Sequence, residues 1–480
     1  MIDIISQYKD EYKMYPVSCE ILSDFTTPIN VLKKLASISN DFYLLESVES
    51  EESIGRYSFL SFDPILKIKY KDNITTICSG EMETQSTEDV FGILRGYVDK
   101  YKSPKIDGLP PFTGGFVGYM SYEMIKYFEP KLDIPLNKYN DFELQLFDKV
   151  IVFDNLKKKI IIIVNMKLDD CNKQYEKALL EIKKIVELIK CSDNLGRMEL
   201  ENPIKFKSNS SKDEYLGMVD IAKEHIVSGD IFQVVLSRRF EADFKSSLIN
   251  SYRMLRTSNP SPYMYFIKSG DLEICGASPE TLVKVVDKKV TTFPVAGTRP
   301  RGKNPTEDIK LEMELLSDEK ELAEHNMLVD LARNDVGKVS KFSSVKVDEY
   351  LKIHRYSKVM HIASVVSGEL RDKYDAFDAI KAILPAGTLS GAPKFRACEI
   401  IAKLEGKSRG VYGGAIGYID LTGNMDMCIA IRTAISDGNK VYVQAGAGVV
   451  YDSIAENEYD ECEKKASAVI NAVKESFNII

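Results

Sequence analysis

The stretch KVIVFDNLKKKIIIIVNM (Lys149–Met166) consists of two β-branched runs that are separated by polar residues. Isoleucine and valine favour strands, and the dipeptide Asp154-Asn155 between the runs is typical of a turn. Two strands joined by a short turn pair in antiparallel fashion. The stretch therefore predicts a β-hairpin that turns at Asp154-Asn155.

The sequence around this hairpin divides into two regions. The first, up to about Lys190, is rich in strand-like segments and ends in a helical run over Cys171–Lys190. The following stretch, Cys191–Ser211, loses its periodicity and gains Asn, Ser and Gly, which is typical of a linker. We therefore predict an amino-terminal region over residues 1–205 and a second region over residues 206–480.

The second region begins with a clear helix start. Ser211 precedes Glu214 by three residues, a capping box in which each side chain binds the other residue's backbone N–H. Apolar residues follow at helical spacing until Gly229, which is a typical helix stop. The next segment, IFQVVLSRRF, is strand-like.

Composition excludes several classes of protein. The chain has 480 residues, 44% of them hydrophobic, and a net charge of −8, which argues against nucleic acid or an anionic membrane as a partner. Its longest apolar run, Ile160–Val164, is too short to span a bilayer, and the N-terminus lacks the apolar core of a signal peptide. Eight cysteines without a C-x-x-C pair predict neither a zinc site nor a disulfide framework. We expect a cytoplasmic protein.

Two Glu-x-x-Glu pairs stand out, Glu321 with Glu324 and Glu458 with Glu461. Each pair lies in a helix-like segment, where residues three apart share a face. Four carboxylates brought together repel one another unless a cation lies between them. Magnesium suits such a place, because it prefers one or two carboxylates, water and an anionic substrate. The pairs therefore predict a Mg²⁺ site that binds a carboxylate substrate.

The last helix leaves a second interpretation open. Its apolar stripe should face the core, whereas Glu458, Glu461 and Lys465 follow an adjacent stripe. That stripe is either part of the site or a solvated flank with an i, i+4 Glu–Lys pair. The strand just upstream, VQAGAGVV (Val443–Val450), contains Gly446 and Gly448. Glycines inside a strand indicate a bulge or the close approach of another group.

Three more segments contain residues suited to binding an anion. FPVAGTRPRG (Phe293–Gly302) reads as a strand that ends in a Gly-Thr turn, and PAGTLSGAPK (Pro385–Lys394) as a loop before a helix. The second is not a phosphate-binding Walker A loop, because its spacing differs, and a plain tight turn with a helix cap remains open. MCIAIRTAI (Met427–Ile435) is strand-like with Arg432 in its middle. A buried Arg needs an anionic partner, which is either a structural acid or a substrate carboxylate.

Motifs along the whole chain resemble the chorismate-utilising enzymes, and most closely the members that form anthranilate. The resemblance rests on these segments, in family order: LLES, GGFVGYMSYE, AGTRPRG, DEKELAEHNMLVDLARND, PAGTLSGAPK, YGGAIGY, IRTA and QAGAGVVYDS. It implies an α+β fold, a large sandwich of two antiparallel β-sheets flanked by helices, in which the two regions interleave. It also implies a buried Mg²⁺-dependent site with chorismate as substrate.

The resemblance also implies residue roles for metal and substrate binding. Glu324 and Glu461 would ligate Mg²⁺, with Glu321 and Glu458 assisting through water. The metal would hold the ring carboxylate of chorismate. The N–H groups of Gly446, Ala447 and Gly448 would face that carboxylate, with Lys465 nearby. The enolpyruvyl carboxylate would be bound by Tyr412 and Arg432. The pocket would be lined by Gly297 and Thr298.

Three residues match catalytic positions. Glu280, in GASPE, would be the general acid that helps the ring hydroxyl leave as ammonia adds, and burial would keep it protonated for that role. His361 and Thr388 would orient the ring and support the later elimination of pyruvate. For His361, a purely structural imidazole is the alternative.

Two positions favour ammonia as the nucleophile. Relatives that add water carry a Lys where this chain has Gln233, and a neutral amide cannot act as a general base. Relatives that make aminodeoxychorismate carry a nucleophilic Lys where this chain has Ala296. The predicted reaction is that of a lyase, chorismate and ammonia to anthranilate and pyruvate, the first committed step of tryptophan biosynthesis. An aminodeoxychorismate synthase component I and a non-catalytic regulatory homologue are the alternatives.

The chain lacks a glutaminase signature, since no Cys lies in a nucleophile-elbow context. Ammonia must therefore come from a separate glutaminase subunit or from ammonium salt. The resemblance implies a glutamine amidotransferase subunit, in a heterotetramer of two large and two small subunits. It also implies feedback inhibition by tryptophan, at a site remote from catalysis. The residues that match this site are Glu46, Ser47, Pro262, Tyr263 and Met264. A proline-set turn that leads into a strand is the plainer interpretation of NPSPYMY.

Overall fold

The computed structural model describes residues 2–47, 55–191, 204–355 and 359–478. Its α-helices are α1 Ile2–Ser6, α2 Pro28–Ile38, α3 Val90–Lys100, α4 Ile125–Phe128, α5 Cys171–Lys190, α6 Lys212–Val227, α7 Ile249–Ser258, α8 Pro305–Ser317, α9 Glu319–Gly337, α10 Ala376–Ile383, α11 Lys394–Glu405 and α12 Ala455–Glu475. Its strands are β1 Met14–Leu22, β2 Asp41–Glu46, β3 Tyr57–Phe62, β4 Leu66–Lys71, β5 Ile74–Ser79, β6 Met82–Ser86, β7 Gly115–Met120, β8 Phe142–Phe147, β9 Lys149–Asp154, β10 Lys159–Lys167, β11 Lys207–Ser208, β12 Gln233–Asp243, β13 Tyr263–Ser269, β14 Leu272–Ser278, β15 Thr281–Val286, β16 Lys289–Thr292, β17 Val295–Pro300, β18 Lys346–Arg355, β19 Val359–Glu369, β20 Gly391–Ala392, β21 Ala415–Asp420, β22 Met425–Ile429, β23 Thr433–Ser436 and β24 Lys440–Val449.

The strands form two twelve-stranded antiparallel sheets. The first has the order β1-β10-β9-β3-β2-β13-β14-β23-β24-β12-β11, with β20 also paired to β12. The second has the order β17-β19-β16-β15-β22-β21-β7-β8-β4-β5-β6, with β18 also paired to β19. Because β2 pairs with β13 and β7 with β21, both sheets contain strands from both sides of residue 205. The predicted sandwich with interleaved regions is confirmed.

The hairpin predicted from Lys149–Met166 is formed by β9 and β10, with Ile160 opposite Phe153. Its turn covers residues 155–158, and the Asp154 carboxylate accepts hydrogen bonds from the backbone N–H groups of Leu156 and Lys157. These bonds explain why an Asp stands at the end of the first strand. The turn is longer than the dipeptide predicted from the sequence.

The linker prediction is only partly testable. Residues 192–203 of the predicted stretch lie outside the described residues, so the boundary at residue 205 stays a prediction. At its far end, Lys207 and Ser208 already form β11, which pairs with β12. The capping box that follows is confirmed, since Ser211 N–H donates to Glu214 Oε2 at 2.7 Å and Glu214 N–H to Ser211 Oγ at 3.3 Å.

The core is arranged in layers. One cluster lies between the sheets and contains Tyr43 and Phe59 from the first sheet and Val117 and Tyr119 from the second. A second cluster joins the outer face of the first sheet to α2, α5, α7 and α12, and a third joins the outer face of the second sheet to α3, α9 and α10. In the described part of the chain, no helix is long and apolar enough to cross a membrane.

Candidate active site

Helices α9 and α12 carry the two acidic pairs, as the spacing predicted. Helix α9 begins at an N-cap, Asp318, whose carboxylate accepts from the N–H of Glu321 at 3.3 Å. Helix α12 is anchored by its apolar stripe, in which Cys462, Ala466 and Val473 are fully buried. The two helices therefore present their glutamates from rigid supports.

Each acidic pair has partners within the protein. Glu321 accepts a hydrogen bond from Arg299 at 3.1 Å, and Glu324 accepts one from the Gln233 amide at 3.2 Å. Glu461 forms an ion pair with Lys465 at 2.6 Å, the i, i+4 pair of the alternative interpretation. Among the described residues, no group of three or more His, Cys, Asp or Glu side chains is arranged to hold a metal ion.

The glutamates nevertheless repel one another. Burial raises the pKa of Glu324, and the Glu321 and Glu461 carboxylates raise it further. Burial likewise raises the pKa of Glu458, with an added contribution from Glu461. A divalent cation between the helices would relieve this repulsion, and carboxylate oxygens are the donors that Mg²⁺ prefers. The donor chemistry of the four glutamates thus fits this ion.

Glu280 is the most perturbed acid of the candidate site. It lies between β14 and β15, its side chain is buried, and Oε1 accepts a hydrogen bond from Thr388 Oγ1 at 3.0 Å. Burial raises its pKa to about 8, although Thr388, Lys465 and Arg432 all act to lower it. The carboxyl group is therefore protonated at neutral pH and able to donate a proton. A small cleft lies beside it, lined in part by Phe293, Leu331 and Gly387.

A bulge in β17 brings Thr298 and His361 together. The register of β17 against β19 shifts between Ala296 and Thr298, and Gly297 at the shift has φ +67°, which glycine adopts without strain. His361 Nδ1 lies 2.9 Å from the Gly297 carbonyl oxygen and 3.0 Å from Thr298 Oγ1. Since a carbonyl only accepts, we assign the ring proton to Nδ1. Burial lowers the pKa of His361, so the imidazole is neutral.

Strand β24 is continuous, so the bulge that its glycines allowed is not formed, and the close-approach alternative is confirmed. A side chain at Gly446 would come within 2.8 Å of the Tyr412 hydroxyl, and one at Gly448 within 2.7 Å of the Gln233 amide. The Gly446 carbonyl points away from β12, because it accepts from Lys465 Nζ at 3.2 Å. Along a strand, the N–H and C=O groups of every second residue point to the same side. The N–H groups of Gly446 and Gly448 therefore point away from β12, to the open side of β24, whereas those of Ala447 point toward β12.

Arg432 does not lie in a strand, and the prediction of one strand over Met427–Ile435 is wrong. Strand β22 ends at Ile429 and β23 begins at Thr433, and Arg432 between them has φ +50°. A non-glycine residue in this left-handed region is uncommon and often marks a functional site. Its positive charge acts on Glu280 and on His361, which places the guanidinium near both.

Sequence reasoning missed two roles. Arg299 binds both Glu321 and Asp318, the latter at 2.8 Å, and so ties β17 to the start of α9. Gln233 was interpreted from the sequence only as a residue that cannot act as a general base. In the structure it donates to Glu324, and its Oε1 is buried without a hydrogen-bond partner among the described residues. The arginines of AGTRPRG were the signal for the first role. The second had no sequence signal.

The residues assigned to regulation lie along the β2–β13 pair. Glu46 stands opposite Met264 in the register and is bound by Tyr252 at 2.7 Å and Arg256 at 2.5 Å. Met264 packs on the helix side of the first sheet, whereas Tyr263 faces the other way and donates to Asp426 at 2.8 Å. Pro262 immediately precedes β13. Ser47 Oγ is buried and, within the described ranges, has no hydrogen-bond partner.

The chain is similar to known proteins over most of its length. The model of the chorismate binding enzyme family matches residues 40–471. Anthranilate synthase component 1 of Acetivibrio thermocellus is 45% identical over 100% of this chain and 99% of its own, and that of Aquifex aeolicus is 43% identical over 98% and 97%. The crystal structure of anthranilate synthase component I from Streptococcus pneumoniae superposes with a TM-score of 0.79 at 39% identity, covering 94% of this chain and 98% of that one. Since the family model spans most of the sequence and these relatives match it end to end, the chain belongs to the chorismate binding enzymes.

Proposed function

We propose that the chain is a lyase that converts chorismate and ammonia to anthranilate, pyruvate and water, as the large subunit of an anthranilate synthase. The observation that carries the proposal is Glu280, a buried acid whose pKa is raised to about 8 and which binds Thr388 beside the cleft. Loss of a ring hydroxyl as water requires a proton donor, and a protonated carboxyl at neutral pH supplies one. The relatives' names support the same reaction.

The proposed mechanism assigns each residue one task. Arg432 and Tyr412 bind the enolpyruvyl carboxylate, and the N–H groups of Gly446 and Gly448 face the ring carboxylate. As ammonia adds to the ring, Glu280 gives its proton to the departing hydroxyl, which leaves as water. The ring then loses the proton of the carbon that took up ammonia, and the bond from the ring to the enolpyruvyl oxygen breaks. The released group takes up a proton to become pyruvate, and aromatic anthranilate remains.

The neutral imidazole of His361 is held by Gly297 and Thr298 and lies near Arg432, whose charge acts on it. We assign it the orientation of the ring, together with Thr388. Its lowered pKa excludes a permanent positive charge at this place. A neutral ring with its proton on Nδ1 presents Nε2 as an acceptor, which suits a group that orients substrate or receives a proton.

Magnesium is the cofactor that we propose for the acidic helices. Glu324 and Glu461 would hold the ion, with Glu321 and Glu458 assisting through water, and the bound ion would neutralise the ring carboxylate. The ion would take over the role that Lys465 now has as partner of Glu461. Lys465 would then be available to the substrate carboxylate, since it already lies against the Gly446 carbonyl.

We predict that ammonium and chorismate give anthranilate and pyruvate, without isochorismate, salicylate or released aminodeoxychorismate. Gln233 has no basic group to activate water. Its Oε1, which has no hydrogen-bond partner in the described part of the chain, suits an N–H donor such as ammonia. Ala296 offers no nucleophile to the ring. The measurement is chromatography of the products, with anthranilate fluorescence as the rate assay and an ammonium-free reaction as the control. Dominant aminodeoxychorismate would favour the alternative synthase, and no turnover at all the non-catalytic homologue.

A partner follows from the proposed reaction. Ammonia is a minor species at neutral pH, and the name component 1 of the relatives supports a second component. We propose a cytoplasmic glutamine amidotransferase subunit, which would assemble with this chain in a heterotetramer of two large and two small subunits. Glutamine-dependent turnover only after addition of that subunit would test this assignment.

We further propose tryptophan as an inhibitor bound between Ser47 and the Pro262–Met264 segment. Ser47→Arg is predicted to leave turnover within about twofold of the unchanged chain while removing inhibition, because the long side chain would fill the ligand's place. The Glu46 carboxylate is already paired with Arg256, so the ligand's ammonium would share it.

The measurement is anthranilate formation against tryptophan concentration. Ser37→Arg, the same substitution at an exposed position on α2, is the matched control and should stay fully sensitive. Full sensitivity of Ser47→Arg, or joint loss of catalysis and inhibition, would contradict a separate regulatory site.

A further inference from the structure

A buried arginine, Arg409, joins several segments around the candidate active site. Its side chain is 1% exposed. Nη1 donates to the Leu389 carbonyl oxygen at 2.6 Å and Nη2 to the Val235 carbonyl oxygen at 2.7 Å. Glu405 of α11 accepts from Nε at 2.9 Å and from Nη2 at 2.6 Å, so the buried charge is paired. One guanidinium group thus holds α11, β12 and the turn Gly387–Leu389 together.

Two of the tied segments carry residues of the proposed mechanism. Leu389 directly follows Thr388, which donates to Glu280. Val235 lies two residues beyond Gln233, which donates to Glu324. A displacement of either carbonyl would therefore move a side chain that contacts a proposed acid or metal ligand. Arg409 itself touches neither of these acids.

The backbone at Arg409 is held by a buried acid from the amino-terminal region, Glu123, whose pKa is raised by burial to about 7. Glu123 is fully buried, and its carboxylate accepts from the N–H of Arg409 at 2.6 Å and from the N–H of Gly410 at 3.0 Å. The Gly410 carbonyl in turn accepts from the N–H of Tyr122 at 2.9 Å. These bonds fix the turn that leads, two residues later, to Tyr412.

Two aromatic rings lie beside the Arg409 guanidinium. The Arg409 guanidinium lies 4.6 Å from the ring centroid of Tyr122 and 5.8 Å from that of Tyr412. The Tyr412 hydroxyl lies against Gly446, where a side chain would come within 2.8 Å of it. Arg409 therefore contacts the ring whose other end borders the open side of β24.

We propose that Arg409 and Glu123 are positioning residues, which together hold Tyr412 and Thr388 in the arrangement that chorismate requires, without contacting the substrate. This inference rests on the proposed function. The planar guanidinium is needed because it donates to three groups in three directions at once. A lysine at this position keeps the charge but has a single nitrogen on a flexible stem.

Arg409 and Glu123 hold different segments, which allows a kinetic test. Glu123 acts on the Tyr412 turn alone, whereas Arg409 also holds the Thr388 turn. We expect Glu123→Gln to raise the KM for chorismate at least about fivefold with kcat within twofold. The amide NH2 group replaces Oε2, which accepts from the N–H of Gly410 at 3.0 Å, and leaves that N–H only the longer bond to Oε1 at 3.2 Å. Arg409→Lys is expected to raise KM and to lower kcat at least about tenfold.

The assay is anthranilate fluorescence with ammonium, at a temperature where circular dichroism shows each variant folded. Arg371→Lys is the matched control, because Arg371 also donates to two backbone carbonyls, those of Ser340 and Gly337, but outside the site. It should lower the melting temperature without changing KM or kcat. If Arg409→Lys does not fold, the KM and kcat of Glu123→Gln alone test the inference.

Folded variants with KM and kcat within twofold of the unchanged chain would overturn the inference, because a merely structural role lowers only the melting temperature. A fall in kcat without a rise in KM for Glu123→Gln would also overturn it. An unchanged chain that forms no anthranilate overturns the proposed function and this inference together. Turnover by the unchanged chain with unaffected variants overturns this inference alone.

Discussion

Glu280→Gln is expected to lower kcat about 10²- to 10⁴-fold, the range typical of a lost general acid, while the KM for chorismate changes little. The amide keeps the size of the side chain and can still accept from Thr388, but it has no acidic proton for the departing hydroxyl. Steady-state fluorescence with ammonium measures the effect. Retention of kcat within tenfold would show that another group protonates the hydroxyl.

The pH dependence of the unchanged chain provides a second check on Glu280. Its carboxyl is protonated below its pKa of about 8 and loses the proton above it. Because the protonated form is the active one, kcat should be level near neutrality and fall about tenfold per unit above pH 8. Glu280→Gln should lose this limb from its residual activity. Glu273→Gln, which removes another buried carboxylate, held by Lys268 at 2.8 Å, is the matched control and should keep the limb.

Glu324→Gln is expected to lower turnover at least about 100-fold at limiting Mg²⁺, which corresponds to about 2.7 kcal/mol. The substitution removes a buried carboxylate whose pKa is raised by burial and by the neighbouring glutamates, and a neutral amide is a weaker ligand for a hard cation. Glu461→Gln should behave in the same way. Direct binding of Mg²⁺ in the absence of chorismate gives a readout that is independent of turnover.

Glu319→Gln serves as the control for the metal-site variants. Glu319 is exposed at the start of the same helix, so its charge is lost without a change at the site. Its activity and its Mg²⁺ dependence should match those of the unchanged chain. Normal turnover of Glu324→Gln and Glu461→Gln at limiting Mg²⁺ would contradict the metal assignment.

Local features were predictable from sequence where periodicity or capping chemistry decides them. The hairpin of β9 and β10, helix α5 and the Ser211–Glu214 cap follow from patterns of fewer than about twenty residues. The faces of α9 and α12 follow from the spacing of their glutamates. The overall sandwich was predicted by family resemblance, since local patterns do not determine which distant strands pair.

The partners of the site residues could not be predicted, because they come from distant segments. Gln233 binds Glu324 across 91 positions of sequence, and Arg299 binds Glu321 across 22. The turn at Arg432 could not be predicted from the sequence for a different reason. Its neighbours are apolar and favour a strand, and a left-handed φ at a non-glycine residue has no sequence signature.

The opposite directions of two predicted regulatory side chains in β13 could have been predicted from the sequence. Tyr263 and Met264 are neighbours in β13, and neighbouring residues of a strand point to opposite faces. The side chains of Tyr263 and Met264 therefore cannot line one and the same ligand pocket. We expect a ligand beside this strand to contact the side chain of one residue and the backbone of the other.

The pairing of β7 with β21 has a consequence for the newly made chain. Strand β7 leaves the ribosome about 300 residues before its neighbour, which at 5–20 residues per second is a delay of roughly 15–60 s. Throughout this interval the edge of an apolar strand has no partner, and such edges are templates for pairing with other chains. Translation speed and chaperone supply should therefore govern the yield of this protein, and a slow stretch of codons before β21 should lower it.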